Sequence, residues 1–505
     1  MHHTSTSTDR TTLALGEGLS REFLLHHRIC PMRRRDDGLI VVAIAPDAAV
    51  EALDDIGLAY NATVAVEEVS TDELEKLIER LTSQTDRIVE LTRSDCLDTS
   101  DTAPLAADEM SDVRDLANQP PVVRFVNLLV RDAYNSGASD IHLEATRSGL
   151  SVRFRLDGVL SPSLEPPPNL QHAVVSRIKL LAELDIAERR RPQDGRVRVR
   201  LESRELDLRV STVPTMHGES VVLRLLDRGG RPVDLEDLGM SAELLAAMER
   251  LTTRPHGMVL VTGPTGSGKT TTLYACLARR ERAVEKIITI EDPIEYQLDG
   301  ITQVPVHRQA GVGFATALRS ILRQDPDVLM IGEMRDQETA EIAVQAAMTG
   351  HLVFSTLHTN DAVSAVARLV DLGVPDYLVA ATLEGVLAQR LVRRVCDDCR
   401  EPYSAASDVL AAVVARPVGN ATRRTLHRGR GCASCRGTGF KGRIGVFELV
   451  LINDELRDAI VRRAPRSVLR EISAQRGMAS LREDGWIKAQ AGLTTVEEVL
   501  RVVQE

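Results

Sequence analysis

The sequence predicts an α/β protein of several domains built around a parallel sheet. Three observations carry that prediction. Near-continuous apolar runs at residues 257–262, 286–290, 328–331 and 352–356 alternate with helical segments, as strands covered by helices on both faces do. The first run leads into Gly263-Pro-Thr-Gly-Ser-Gly-Lys-Thr270, a glycine-rich turn ahead of a helix beginning near Lys269. Between residues 120 and 228, shorter stretches alternate apolar with charged side chains, the pattern of half-buried antiparallel strands.

The elements follow in order. Residues 1–15 are polar and expected to be a disordered tail. Residues 16–95 read as a small α/β module: a short helix, a strand at 39–45, a helix at 48–56, a strand at 63–66 and a helix at 71–81. Ser70 or Thr71, with Glu73 and Glu75 nearby, starts the last helix. No catalytic constellation is visible in this module. Residues 96–119, rich in Asp, Ser and Thr, read as a linker. An α+β module is expected over 120–230, with a helix at 122–134 and strands at 140–143, 150–156, 196–201, 205–210 and 220–225. Residues 231–505 hold the parallel core, and from about 383 onward the chain reads as helical apart from a cysteine-rich insert at 390–445.

Composition narrows the function classes. The 505 residues are 43% apolar and 27% charged, an ordinary globular balance. A net charge of −11 and an aromatic share of 3% oppose wrapping of nucleic acid, so no nucleic-acid partner is expected. No apolar run approaches the roughly 18 residues of a spanning helix, and the N-terminus lacks the apolar core of a signal peptide. The expected location is cytoplasmic, with any membrane attachment made through a partner.

Residues 263–270 match G-x-x-x-x-G-K-[ST] in full, between strand and helix as the chemistry requires. Gly263, Pro264, Thr265, Gly266, Ser267 and Gly268 form a tight turn whose backbone N–H groups, which Pro264 lacks, would face phosphate oxygens, helped by the helix N-terminus. Lys269 would reach the outer phosphates, Thr270 would give its hydroxyl to magnesium, and Thr271 follows beside them. ATP and Mg2+ are the expected ligands. Glu333 follows the run at 328–331, where it would help hold the metal and water. Glu291, Asp292 and Glu295 sit at the end of another run, where ligands of parallel sheets bind. Either Glu291 or Glu295 would orient or deprotonate the attacking water. A third strand end carries Ser355, Thr356, His358 and Asn360, a polar tail suited to sensing the terminal phosphate; His358 is equally a structural histidine. Arg319 and Arg323, at i, i+4 spacing, are either phosphate ligands or a surface pair for Asp325 or Asp327.

Cys396-Asp-Asp-Cys399 and Cys432-Ala-Ser-Cys435 lie 32 residues apart. Two such knuckles supply a closed four-thiolate zinc site, with Gly431, Gly437 and Gly439 letting the second one turn. A helix between the pairs would have to fold back. Cys30, Cys96 and Cys276 have no such company.

The glycine loop, residues 290–295, 323–336 and 349–360 resemble the Walker A, Asp box, Walker B and His box of the secretion ATPases that drive type II secretion and type IV pilus assembly. Ser139-Asp-Ile-His142, residues 153–159, 192–196, 209–224, 481–485 and 492–499 are similar to it too. Motif order and length favour the type II branch. The resemblance implies a RecA-like core, a PAS-like α+β module before it, the tetracysteine Zn2+ insert, and a homo-hexameric ring with each site between module and core. It implies that Arg209 and Arg224 reach phosphates, although both alternate with apolar residues as on any solvated sheet face. It further implies docking of the N-terminal module on the cytoplasmic domain of an inner-membrane secretion protein, and contact with an inner-membrane platform protein. Two other readings compete. One is a nucleic-acid motor using Arg189, Arg190, Arg191 and the arginines of 423–443; the other is a nucleotide-gated scaffold without turnover.

Overall fold

The computed structural model describes residues 27–34, 39–46, 53, 63–71, 73–74, 77–78, 116–201, 204–227, 233–307, 310–404 and 425–503. The tail expected at 1–15, nearly all of the helix expected at 48–56, and the linker up to residue 115 lie outside them. The chain divides near residue 225 into two compact units.

In the N-terminal module, β1 (Ile29–Arg34) pairs antiparallel with β2 (Ile40–Ile44), and β2 pairs parallel with β3 (Val64–Glu68). Sequence reading put no strand at β1. Pro31 hides it, because proline removes a ladder donor and suits only an edge or a bulge; β1 is the edge strand, and its register shifts between Pro31 and Arg33.

The second module opens on the helix Pro120–Asn135, with proline in its first turn where no N–H is missed. Its buried face, Val122, Phe125, Val126, Leu129 and Val130, belongs to a helix that packs on β4. β4 (Ala138–Thr146), β5 (Gly149–Leu156), β6 (Val159–Pro162), β7 (Gln193–Leu201), β8 (Arg204–Thr215) and β9 (Gly218–Asp227) form one sheet in the order β6-β5-β4-β9-β8-β7. Sequence reading missed β6 and the helix Gln171–Leu181. That helix carries the buried Lys179, whose Nζ donates to Glu219 Oε1 at 2.8 Å and to the Glu188 carbonyl at 2.7 Å.

The core sheet has seven strands: β10 (Gly257–Thr262), β11 (Ile287–Glu291), β12 (Thr302–Pro305), β13 (Val328–Ile331), β14 (Leu352–Leu357), β15 (Leu383–Val395) and β18 (Phe440–Leu451). Their order is β12-β11-β13-β14-β10-β15-β18, parallel except for β18, which runs antiparallel to β15. β10, β13 and β14 are buried along their whole length, which explains their unbroken apolar runs. The helical reading of residues 383–389 and 446–451, on either side of the insert, is corrected here, since both belong to strands. β15 is covered on both faces and so has no period-2 alternation, and its thirteen residues match helix length better than strand length. Phe447 N–H donates to Asp484 Oδ2 at 2.8 Å, and Lys488 Nζ donates to the Gly445 carbonyl at 2.7 Å. The side chains of the helix Leu481–Gln490 thus occupy backbone groups of β18 that face away from β15.

β16 (Arg400–Ser404) and β17 (Thr425–Gly429) form a separate antiparallel pair. They return the chain from one cysteine knuckle to the other, a job sequence reading gave to a helix. Residues 405–424 lie outside the described residues.

Candidate nucleotide and metal sites

The carboxyl ends of β10, β11, β13 and β14 lie at one edge of the sheet, where parallel α/β sheets bind ligands. The glycine loop springs from β10 and feeds the helix Lys269–Ala278. Gly268 sits at φ 86°, a left-handed conformation that disfavours any Cβ. At Gly263 a Cβ would come within 2.5 Å of the Gln389 carbonyl oxygen. Ser267 Oγ is buried with no hydrogen-bond partner, an orphan that a phosphate oxygen satisfies. Lys269 Nζ rests on the carbonyls of Gly263 (2.9 Å) and Pro264 (3.0 Å). Burial brings its pKa down to about 8, with the Glu333 carboxylate opposing and the Arg390 guanidinium adding to the shift. A partly desolvated cation whose hydrogen bonds go to neutral carbonyl oxygens is a strong anion ligand, so the loop fits a polyphosphate. Pro264, Thr265 and Gly266 are exposed at its tip, and Thr270 and Thr271 are half-buried in the first helical turn.

Glu333, just past β13, is 13% exposed, with Arg335 Nε at 2.6 Å and His358 Nε2 at 3.5 Å from its Oε2. The structure therefore brings Glu333 and His358 together, and the Glu333 charge is felt at Lys269. Two members of the polar tail are corrected. Ser355 Oγ and Thr356 Oγ1 are buried and donate to the carbonyls of Ile331 (2.8 Å) and Gly332 (2.6 Å), so they brace β14 against the end of β13 instead of facing a ligand. Thr262 Oγ1 lies 2.7 Å from Thr359 Oγ1 and accepts from Thr359 N–H at 2.9 Å, tying the start of the loop to the same tail.

The three acids of the 290–295 segment sit in different surroundings. Glu291, 2% exposed, accepts from the Tyr274 hydroxyl, from Thr289 Oγ1 at 2.6 Å and from Gln303 Nε2 at 3.1 Å. Burial, reinforced by that bond to Glu291, pushes the Tyr274 hydroxyl well above its usual pKa. Glu295 is only half-buried and Asp292 is exposed. Arg319 pairs with Glu338, and Arg323 donates to the Arg319 carbonyl at 2.7 Å. Neither takes the aspartate partners considered from sequence: Asp327 Oδ2 accepts from Lys286 N–H at 2.7 Å. In the second module, Arg209 and Arg224 line one cleft of about 400 Å3 with Asp194, Arg196 and Ser211. Arg224 Nε donates to Asp140 Oδ1 at 2.9 Å.

The four sulfurs of Cys396, Cys399, Cys432 and Cys435 lie within 4.8 Å of one another. Three of the separations are 3.9 Å (Cys396–Cys432), 3.8 Å (Cys399–Cys435) and 3.7 Å (Cys432–Cys435). Four thiolates at ~2.3 Å from one tetrahedral zinc stand ~3.8 Å apart, so the set fits that ion. Burial pushes the Cys399 thiol up to about 12. At Cys435 burial works the same way, yet N–H groups of Cys432 (3.1 Å) and Gly439 (3.2 Å) donate to Sγ and bring the thiol down to about 6.

Gln389, Arg390 and Thr262 stand around the loop, and Tyr274 on Glu291, without having been singled out from sequence, where no motif marks them.

A glycine loop with a partly buried lysine, a glutamate at the next strand end but one, and a parallel sheet behind them define a P-loop ATPase. A family model for "Type II/IV secretion system protein" matches residues 115–501, and one for the MshEN domain matches residues 4–88. The chain belongs to the type II/IV secretion system protein family. It is 46% identical over 489 residues to type II secretion system protein E of Xanthomonas campestris pv. campestris, covering 97% of this chain and 85% of that one. Against the type IV pilus assembly ATPase PilB of Myxococcus xanthus, identity is 42% over 484 residues, 95% of this chain and 85% of the other. The X-ray structure of the Legionella pneumophila ATPase DotB superposes with a TM-score of 0.55 at 20% identity, over 74% of this chain and 94% of that one, a likeness of fold. The chain is an ATP-hydrolysing enzyme, and its class implies nucleotide and magnesium use. Among the described residues no helix is long and apolar enough to cross a membrane.

Proposed function

We propose that this chain is the motor ATPase of a type II secretion machine, working as a cytoplasmic homo-hexamer attached to the inner membrane through partners. The observation that carries the ATPase part is the loop itself, where the orphaned Ser267 hydroxyl and desolvated Lys269 await phosphate oxygens. Near-full-length similarity to a type II secretion system protein E supports the branch. The PilB relative supports pilus assembly more weakly.

In this reading Lys269 and the loop's backbone N–H groups, those of residues 263 and 265–268, hold the β- and γ-phosphates, while Thr270 and Glu333 hold magnesium. Magnesium supplies charge neutralisation on the phosphate oxygens. Of the two acids left open by sequence, Glu295 handles the water. Glu291 is 2% exposed and accepts three hydrogen bonds from protein groups, whereas Glu295 is half-buried and open to water, which a general base must reach. His358 acts with Glu333, and Arg209, Arg224, Arg319 and Arg323 approach the phosphates when the ring closes. The four cysteines hold structural zinc. The N-terminal module docks on the cytoplasmic domain of an inner-membrane secretion protein, and the ring works against a platform protein there.

Glu295→Gln is expected to lower turnover on the order of 10²-fold with ATP binding retained. Glu291→Gln should lower thermal stability first, because it breaks a buried network. Steady-state rates, nucleotide binding and melting of both variants check this, and full activity in Glu295→Gln would sink the assignment. The function itself is tested by chromosomal Lys269→Ala. Loss of exoprotein release with surface pili intact supports type II secretion, whereas loss of pili alone moves the protein to the pilus branch. Turnover per subunit that climbs with protein concentration would show sites completed between subunits.

A further inference from the structure

β15 passes directly behind the phosphate loop. It runs parallel to β10 with Thr262 opposite Ala388, so the next two residues, Gln389 and Arg390, stand beside Gly263. Gln389 is 1% exposed. Its side-chain oxygen accepts from Thr272 Oγ1 at 2.6 Å, in the first turn of the helix that the loop feeds. Its amide nitrogen would lie 2.9 Å from a Cβ placed on Gly268, and its backbone oxygen 2.5 Å from one placed on Gly263. The first and last glycines of the loop and the following helix therefore all bear on this one residue. Arg390, 7% exposed, continues the wall: Nη1 donates to the Gln389 carbonyl at 3.1 Å and Nη2 to the Asn360 carbonyl at 2.8 Å. Asn360 lies two residues after His358.

We propose that Gln389 is a positioning residue for the triphosphate, holding both ends of the phosphate loop in binding shape and, through Arg390 and Asn360, linking the loop to the tail that carries His358. It touches no reacting atom. The chemistry of the side chain suits the task. A neutral amide accepts the Thr272 hydroxyl without setting a carboxylate against an incoming anion, and it is long enough to reach Gly268. Preorganisation of this kind acts on nucleotide affinity, because a loop that must be ordered on binding loses that part of the interaction free energy.

The inference rests on residues 263–270 holding the triphosphate, and the test separates the two. Gln389→Leu and Thr272→Val remove the same hydrogen bond from its two ends, the second at nearly constant volume. KM and kcat for magnesium-ATP are measured on the full chain, with binding of a fluorescent ADP analogue, zinc content and melting alongside. Each variant is expected to raise KM about tenfold with kcat within about twofold of the parent. The double variant should be no worse than either single one, since both delete one contact. An unchanged KM in a variant that melts and holds zinc like the parent overturns the proposal, as do losses that add in the double variant. Should Gln389→Leu fail to fold, Thr272→Val decides by the same criterion. Lys269→Ala serves as the reference: if that variant also keeps its KM and turnover, the triphosphate assignment of the loop has failed, not the role of Gln389.

Discussion

Replacing Lys269 with alanine is expected to lower magnesium-dependent ATP turnover on the order of 10³-fold. Its ammonium is the one cation on the loop, and burial has already stripped much of its water, as its depressed pKa shows. A desolvated charge acts in a medium of lower effective dielectric than a solvated one, so it counts for more where phosphate charge builds up. The fold should survive, because the hydrogen bonds of the side chain go to the carbonyls of Gly263 and Pro264 in its own loop, and Pro264 is exposed. Parent-like melting with lost nucleotide binding is the expected pair of results. Retained turnover at parental level would remove the loop from the active site.

Removing one thiolate, as in Cys399→Ser, is expected to lose the zinc and unfold the insert. Among the described residues, the cluster around these sulfurs consists of the cysteines alone, with no other apolar side chain packed into it. Structural zinc contributes on the order of 10–16 kcal/mol in isolated fingers, far more than the β16–β17 pair supplies from its few residues. Elemental analysis should fall from about one zinc per chain to near zero, and trypsin should cut faster at the exposed arginines between residues 428 and 443 once their backbone is no longer held in a fixed fold. Strong chelation should do the same to the parent. A parent chain that carries no zinc, or a variant that resists trypsin as the parent does, would rule out the metal's structural role.

Legibility in the sequence followed burial. β10, β13 and β14 are covered on both faces, so hydrophobic composition alone revealed them, and the glycine loop declared itself through spacing. β15 is just as buried but carries Gln389 and Arg390 in its middle and two more arginines near its end. A run of that kind has neither a clean strand period nor a motif, and the residues most intimate with the loop stayed hidden in it. Ser355 and Thr356 misled in the opposite sense. Polar groups at a strand end look like ligand contacts, but only the fold reveals the carbonyls of Ile331 and Gly332 waiting beside them. Glu291 and Glu295 were indistinguishable in one dimension for a similar reason: the three donors that occupy Glu291 come from Tyr274, Thr289 and Gln303, two of them distant in the chain.

The outer margin of β18 has a consequence for the life of the protein in a crowded cell. Bare strand margins template the addition of foreign strands and are where fibrils begin. Here Asp484 and Lys488 already occupy the Phe447 N–H and the Gly445 carbonyl, and the opposite margin, β12, is four residues long and closes on a proline. A second molecule finds little ladder to extend at either side. Copies of the chain can gather without polymerising through their sheets, and Asp484→Ala, by reopening one margin, is expected to raise aggregation, read by light scattering.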